Sequence, residues 1–376
     1  MILNVEQLQN VCKDILPAVD SFELSTLTET LQLHVENNIL YLAVTNREYF
    51  VKVRLDVTEP NDFNATVNAN LFLKLVAQTT CDTIELTVTD KTLNFRGNGN
   101  YKLPLIFDGE ALLQLPEIVI KNPTVDFDIS SEILESIYNY NTKQLSMNAG
   151  SISKAVQKMY YVDEQGCITF TLGACVNNFT LPKPVKVLFN QRLVKLFKLF
   201  KEGSVHFTLG YDAISNTITQ SKINLKNDHI SITAILSCDD TMINSVPASI
   251  IRQRASANYP YSVTVNKKSL MDMANRMKLF INTGVGVANY AKLTFNNSTM
   301  TISDVSGENA EVLTFDNELT NIQDPYTMCV DLNDLLGVLD TCSLAHVNIN
   351  FGDSQALTIS RGEVINVIPE VKLEVA

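Results

Sequence analysis

The sequence predicts an α+β fold of three repeated domains, each with two helices packed on antiparallel sheets, and three observations carry that prediction. A helical run followed by alternating strands recurs six times along the 376 residues. Hairpin signals fall at matching places in successive copies. Proline interrupts the chain at Lys121-Asn122-Pro123 and Asn258-Tyr259-Pro260, which sets expected domains of 1–121, 122–258 and 259–376.

The leading half of each copy opens on a helical run: "VEQLQNVCKDIL", "SSEILESIYNYN" and "KKSLMDMANRMKLF". Paired strands follow in "LQLHVENNILYLAV", "KMYYVDEQGCITFTL" and "AKLTFNNSTMTISDV". Asn37-Asn38, Glu164-Gln165-Gly166 and Asn296-Asn297 stand where a tight turn wants residues tolerant of positive φ. The trailing half opens on Asn68, Asn190 or Asp331, whose side-chain oxygens suit a helix N-cap. Strands are expected next at Ile84–Val88, Val205–Leu209 and Val347–Phe351.

Helical periodicity assigns each helix a buried stripe and an outward face. Leu71, Phe72, Leu75 and Val76 are expected in the core, with Lys74 outward. Ile133, Leu134 and Ile137 face inward, against an outer face of Glu132, Glu135 and Lys143. Leu193, Leu196, Phe197 and Phe200 form the stripe of "FNQRLVKLFKLFKEG", with Lys195 and Lys198 opposite and Arg192 and Lys201 flanking. Leu270, Ala274, Met277 and Ile281 are core in the fifth helix, which exposes Lys268 and Arg276. The last helix is expected to expose Asp334 in place of a cation.

The chain is acidic, with a formal charge of −12, yet the charge is unevenly spread. Residues 1–121 and 259–376 each carry −7, whereas 122–258 carry +2. A basic helix face on an acidic body suits a polyanion held through its phosphates, because the remaining surface repels it. No stacking aromatics interleave with these cations, so sequence-specific readout is not expected.

Several function classes find no support. Phosphate-binding glycine loops and the G-x-S-x-G nucleophile elbow are missing from the sequence. The four histidines stand singly in strand-like or turn contexts, and Asp239-Asp240 reads as a solvated pair. No enzyme activity, metal or cofactor is therefore expected. Seven scattered cysteines, Cys12, Cys81, Cys167, Cys175, Cys238, Cys329 and Cys342, read as reduced and mostly buried. The amino terminus lacks a signal-peptide pattern and no apolar run approaches the ~18 residues of a membrane span, so a cytoplasmic protein is expected.

Taken together, "LNVEQLQNVCKDIL", "DFDISSEILESIYNYN" and the closing "VIPEVKL", in this order across three repeats, resemble the bacterial-type DNA sliding clamp, the β subunit of replicative DNA polymerase. The likeness runs along essentially the whole chain. It implies a head-to-tail homodimeric ring in the cytoplasm of a bacterial or phage-infected cell, with helices lining a hole for duplex DNA. Lys74, Arg192, Lys195, Lys198, Lys201, Lys268 and Arg276 would then face DNA phosphates. DNA polymerase and a clamp loader would dock short peptides in an apolar groove. Carried over position by position, that groove comprises Thr171, Gly173, Val176, Val246, Pro247, Val367, Ile368, Pro369 and Val371. Ala174-Cys175 and Glu370 depart from the family pattern there, which leaves peptide specificity open.

For ring closure, period-2 alternation puts Tyr101, Leu103 and Leu105 on one face of "YKLPLIF". Leu279 and Phe280, left over once the helix core is assigned, are the expected counterpart in the other subunit. A viral structural or assembly protein built of repeated β-rich domains is the alternative reading.

Overall fold

The computed structural model describes residues 1–19, 26–57, 63–147, 155–171, 173–214, 217–236, 239–281, 290–352 and 355–372. Cys238 and the last four residues lie outside them. Five helices begin where a strand ends in a short polar residue that closes a free helix N–H. Asn4 Oδ1 accepts from Gln7 N at 3.0 Å, Asn68 Oδ1 from Leu71 N at 2.9 Å, and Ser130 Oγ from Glu132 N at 3.2 Å. Asn266 Oδ1 accepts from Ser269 N at 3.0 Å and Asp331 Oδ1 from Asn333 N at 2.8 Å.

These caps start the helices Val5–Ile15, Ala69–Ala77, Ser131–Ser136, Lys267–Ile281 and Leu332–Thr341. The third continues through a π-helical turn, Ile137–Asn141, into Thr142–Met147. The basic segment is shorter than its periodicity suggests: α-helix covers Gln191–Leu196, a 3₁₀ turn covers Phe197–Leu199, and Phe200 leaves helical geometry at φ −86°, ψ 87°. Its apolar stripe is nonetheless fully buried, Leu193, Leu196, Phe197 and Phe200 included. In the helix Ala69–Ala77 the phase differs from expectation. Ala69, Phe72, Leu73 and Val76 are buried, while Leu71 lies 51% exposed, because the i, i+3, i+4, i+7 stripe runs one residue around from it. Ala248–Ala255, outside the six expected helices, is also helical.

Each repeat carries a leading and a trailing meander. The leading ones are Thr30–Glu36, Ile39–Thr45 and Tyr49–Asp56; Tyr160–Asp163, Gly166–Phe170 and Ala174–Asn178; and Tyr290–Phe295, Thr299–Ser303 and Ala310–Thr314. The trailing ones are Thr83–Thr89, Thr92–Arg96 and Asn100–Pro104; Ser204–Ile214, Thr217–Lys226 and Ile230–Leu236; and His346–Phe351, Ala356–Arg361 and Val364–Pro369. Turn chemistry fits two of the three hairpins expected. Asn37 and Asn38 take φ 51° and 62°, and Gly166 takes φ 141° with the Asn177 carbonyl where a Cβ would sit. Asn296 and Asn297 make their turn without positive φ.

The meanders join edge to edge across repeats. Tyr49–Asp56 pairs antiparallel with Ile230–Leu236, setting Val53 opposite Ile230, and so makes one eight-stranded sheet. Ala174–Asn178 pairs antiparallel with Val364–Pro369, setting Ala174 opposite Val367, and makes a second. Among the described residues two four-stranded sheets, ending in Asn100–Pro104 and in Ala310–Thr314, and one two-stranded ribbon remain. By contacts the chain divides into two compact units, 1–135 with 192–239, and 136–191 with 240–376. In the second unit, a core of helix and strand side chains is organised around Phe351, whose ring stacks on Phe295 at 3.8 Å and meets Tyr261 and Tyr326.

Candidate functional site

The basic segment keeps its cations outside. With Leu193, Val194, Leu196, Phe197, Leu199 and Phe200 buried, Lys195 and Lys198 are held exposed between them. The flanking cations are partly engaged by acids of the first repeat. Lys201 Nζ lies 2.7 Å from Asp14, and Arg192 Nη1 lies 3.5 Å from Glu48. Arg276, expected to be outward, is exposed but forked onto Glu311, with its Nη2 at 2.7 Å and Nε at 2.9 Å from the carboxylate. That contact holds the Glu311 carboxyl below the usual carboxylate range. Lys74 and Lys268 are exposed. Asp334 overturns its expected exposure: it is buried, with its carboxylate oxygen 3.7 Å from where a Cβ on Gly173 would stand. The helix Leu332–Thr341 packs against the helix Thr142–Met147, which covers the face that periodicity alone leaves to solvent.

Two of the expected groove residues, Gly173 and Val367, meet at one sheet joint. Val367 and Ala174, opposite each other in register, form an apolar cluster with Ala356, flanked by Phe170, Ile251 and Ala255. The last two come from the helix Ala248–Ala255, which packs on both strands of the joint. Asp163 fixes this helix from below. Arg252 Nη1 and Nη2 each reach a different Asp163 oxygen at 2.6 Å, in a pair whose side chains are 19% and 5% exposed. Gln144 shapes the neighbouring loop, its Nε2 donating to Thr171 Oγ1 and to the Gly173 carbonyl, both at 3.2 Å. A side chain at Gly173 would press on the Val367 carbonyl, 3.0 Å from its Cβ.

Not every expected residue shares that surface. Ile368 alternates to the opposite face and belongs to the core around Phe351. Val176 is buried, and Val246 is buried between two short helices. Pro247, Pro369, Val371 and Thr171 are half-buried. Cys175, on the same strand, has its thiol pushed up to about 12 by burial, with Arg361 pulling the other way. Phe170, Ile251, Ala255, Gln144 and the Arg252–Asp163 pair were not foreseen. Ile251 and Ala255 stand four apart after Pro247, a helical spacing that could have revealed them.

The strand Asn100–Pro104 ends its sheet with Tyr101 43% exposed and resting edge-on against Phe95. Leu103 faces the core and is buried, so it offers no outer surface. Leu105 lies past the strand end, its N–H bonded to the Lys91 carbonyl at 3.0 Å. In the second unit, Leu279 and Phe280 are 73% and 52% exposed at the end of their helix. That helix packs on the edge strand Ala310–Thr314, where Val312 is 64% exposed.

No protein-family model matches the chain, and no curated protein sequence does. Solved structures do. The chain superposes on the DNA polymerase sliding clamp of Pseudomonas aeruginosa with TM-score 0.77 at 14% identity, over 99% of both chains. For the sliding clamp of Bacillus subtilis the TM-score is 0.73 at 15% identity, over 99% of this chain and 98% of that one. For the Helicobacter pylori beta clamp, solved bound to a DNA ligase peptide, it is 0.73 at 14% identity over 99% of both. This chain has the sliding-clamp fold. Within that clamp fold, the repeat order and the six principal helices are those that the sequence led us to expect, whereas the joining of sheets across repeats was not foreseen. Among the described residues of this clamp-fold chain, no three His, Cys, Asp or Glu side chains converge as a metal site, and no helix is long and apolar enough to cross a membrane.

Proposed function

We propose that the chain is a DNA sliding clamp: a non-catalytic processivity factor that closes as a homodimer around duplex DNA and tethers polymerase through the groove beside Val367. One observation carries the ring. The last strand of the first repeat's leading meander already pairs with the last strand of the second repeat's trailing meander. The second and third repeats make the same match. One strand of each kind is left over, Ala310–Thr314 in the third repeat and Asn100–Pro104 in the first, each at a sheet end. Repeating the match a third time joins the third repeat of one copy to the first repeat of another. Such a head-to-tail contact gives a ring when its rotation closes. The repeat boundaries are those of 1–121, 122–258 and 259–376.

Lys195 and Lys198 then face the phosphates, joined by Lys74 and Lys268, and partners bring extended apolar peptides to the Val367 cluster. The protein works in the cytoplasm of a bacterial or phage-infected cell. Retention on DNA tests the reading. Bound to nicked circles, the protein should withstand salt that strips it from short linear duplex, because topology and not counterion release retains it. Lys195→Glu with Lys198→Glu should impair loading with the fold intact. Equal salt sensitivity on both substrates refutes encirclement, and large closed assemblies in place of a two-chain particle would favour a viral structural protein.

A further inference from the structure

We infer that the cleft between the helices Val5–Ile15 and Ala69–Ala77 is a binding site for an unpaired nucleotide of a DNA strand. Matched stripes at i, i+3, i+4 and i+7 line it: Gln9, Cys12, Lys13 and Leu16 on one side, the last being the cap that ends its helix, and Asn70, Leu73, Lys74 and Ala77 on the other. The floor is apolar, formed by Cys12 and Leu73, both buried, while Leu16 at the mouth is 51% exposed. Cys12 offers no charge there, since burial pushes its thiol up to about 12. Gln9 locks the walls together, its Nε2 donating to the carbonyls of Val76 at 3.0 Å and Thr79 at 2.8 Å.

Among the described residues that line this cleft, the charge is of one sign. Lys13 and Lys74 occupy the same place in their stripes, one on each wall, and no lining residue is a carboxylate. Among the described residues neither lysine has an ion-pair partner, unlike Arg192, Lys201 and Arg276. Asp14, next along the helix from Lys13, is taken up by Lys201. An occupant therefore needs a compact apolar body with negative charge on two sides. The volume of about 280 Å³ lies at the small end of ligand sites and fits a single ring system. A nucleotide within a strand has that form, a planar base with a phosphate before and after it. A free mononucleotide has one phosphate, and a duplex keeps its bases stacked inside, so both are poorer matches.

The inference rests on the clamp reading only for the source of the strand. Fluorescence anisotropy at low salt would compare a short oligothymidylate, an abasic strand of equal length, thymidine monophosphate and a blunt duplex. The oligothymidylate should bind about fivefold tighter than the abasic strand and tighter than the mononucleotide, a smaller gain than aromatic stacking gives. Ala77→Trp, which fills the cleft from an exposed position and keeps both lysines, should erase that difference, and Asn70→Trp provides a second filled variant. Lys13→Gln with Lys74→Gln should weaken both strands and flatten their salt dependence. A 4-thiothymidine strand should photocrosslink within 5–16 or 69–77. Equal binding of thymidylate and abasic strands, a difference that survives in both tryptophan variants, or crosslinks elsewhere would overturn the assignment. Salt-resistant retention on nicked circles, measured on the same variants, separates the two readings: an Ala77→Trp protein that still encircles DNA leaves the clamp standing whatever becomes of the cleft.

Discussion

Replacing Arg252 with alanine should loosen the helix that walls the groove, and the structure sets the size of the effect. Arg252 and Asp163 meet through two bonds of 2.6 Å, largely out of solvent. Without the guanidinium, Asp163 still accepts from the Gln165 N–H at 2.9 Å, and its carboxylate stays buried. Breaking a buried pair from one side costs about 3–5 kcal/mol, because the surviving charge is uncompensated. Arg252 is one-fifth exposed and Asp163 keeps a donor, so the lower figure of about 3 kcal/mol applies. For a unit of this size that corresponds to a fall in Tm of roughly 6–12 °C. The helix carries Ile251 and Ala255 onto Val367, so affinity for a labelled apolar peptide should fall with it. Asp163→Leu combined with Arg252→Met removes both charges and should recover most of the stability. Thermal melts and peptide titration of the three proteins suffice. A Tm within experimental error of the parent for Arg252→Ala, or a double variant no better than the single one, would refute the reasoning.

Leu279→Ala with Phe280→Ala should shift the protein toward a folded monomer in analytical ultracentrifugation, since interface anchors of this kind cost more than ~1 kcal/mol each; full dimer at nanomolar concentration would place the interface elsewhere. Alkali should destabilise the fold through its buried thiols. Cys12 and Cys175 are raised from 9.0 to about 12 by burial, and Cys167 well above 9.0, so below pH 9 both states keep the proton and nothing is lost. As pH climbs from 9 toward 12 the unfolded chain ionises and the folded one does not, and stability falls. Melts across that range should show the decline, weakened in Cys12→Ala. At pH 8 a thiol reagent should label Cys81 readily and these three only on unfolding.

What was legible in the sequence was local. Asn68 and Asp331 cap helices because a side chain two or three residues from a free N–H needs nothing distant to find it. Asn37-Asn38 turn tightly for the same reason. The failures concern long-range packing. Leu103 alternates with its neighbours as expected, but which face of a strand meets the core depends on what lies above the sheet, and Ile368, assigned to the groove beside Val367, turns to the core for that reason. Asp334 is buried beside Gly173, far earlier in the chain, a distance that no window of periodicity spans. Gln144 and Arg252 likewise act on residues brought close only by the joining of two meanders.

The joining of meanders across repeats also separates the units of sequence repetition from the units of cooperativity. The repeat is what recurs in the sequence, yet each compact unit holds one full repeat and half of the middle one. A fragment cut at the prolines to isolate 122–258 would carry the trailing half of one eight-stranded sheet and the leading half of the other, each with a raw edge. Local unfolding should respect the sheets and ignore the repeat boundaries, so hydrogen exchange would report two blocks whose limits fall inside the middle repeat. The repeat is the pattern written along the chain, but the strand ladders decide which parts melt together.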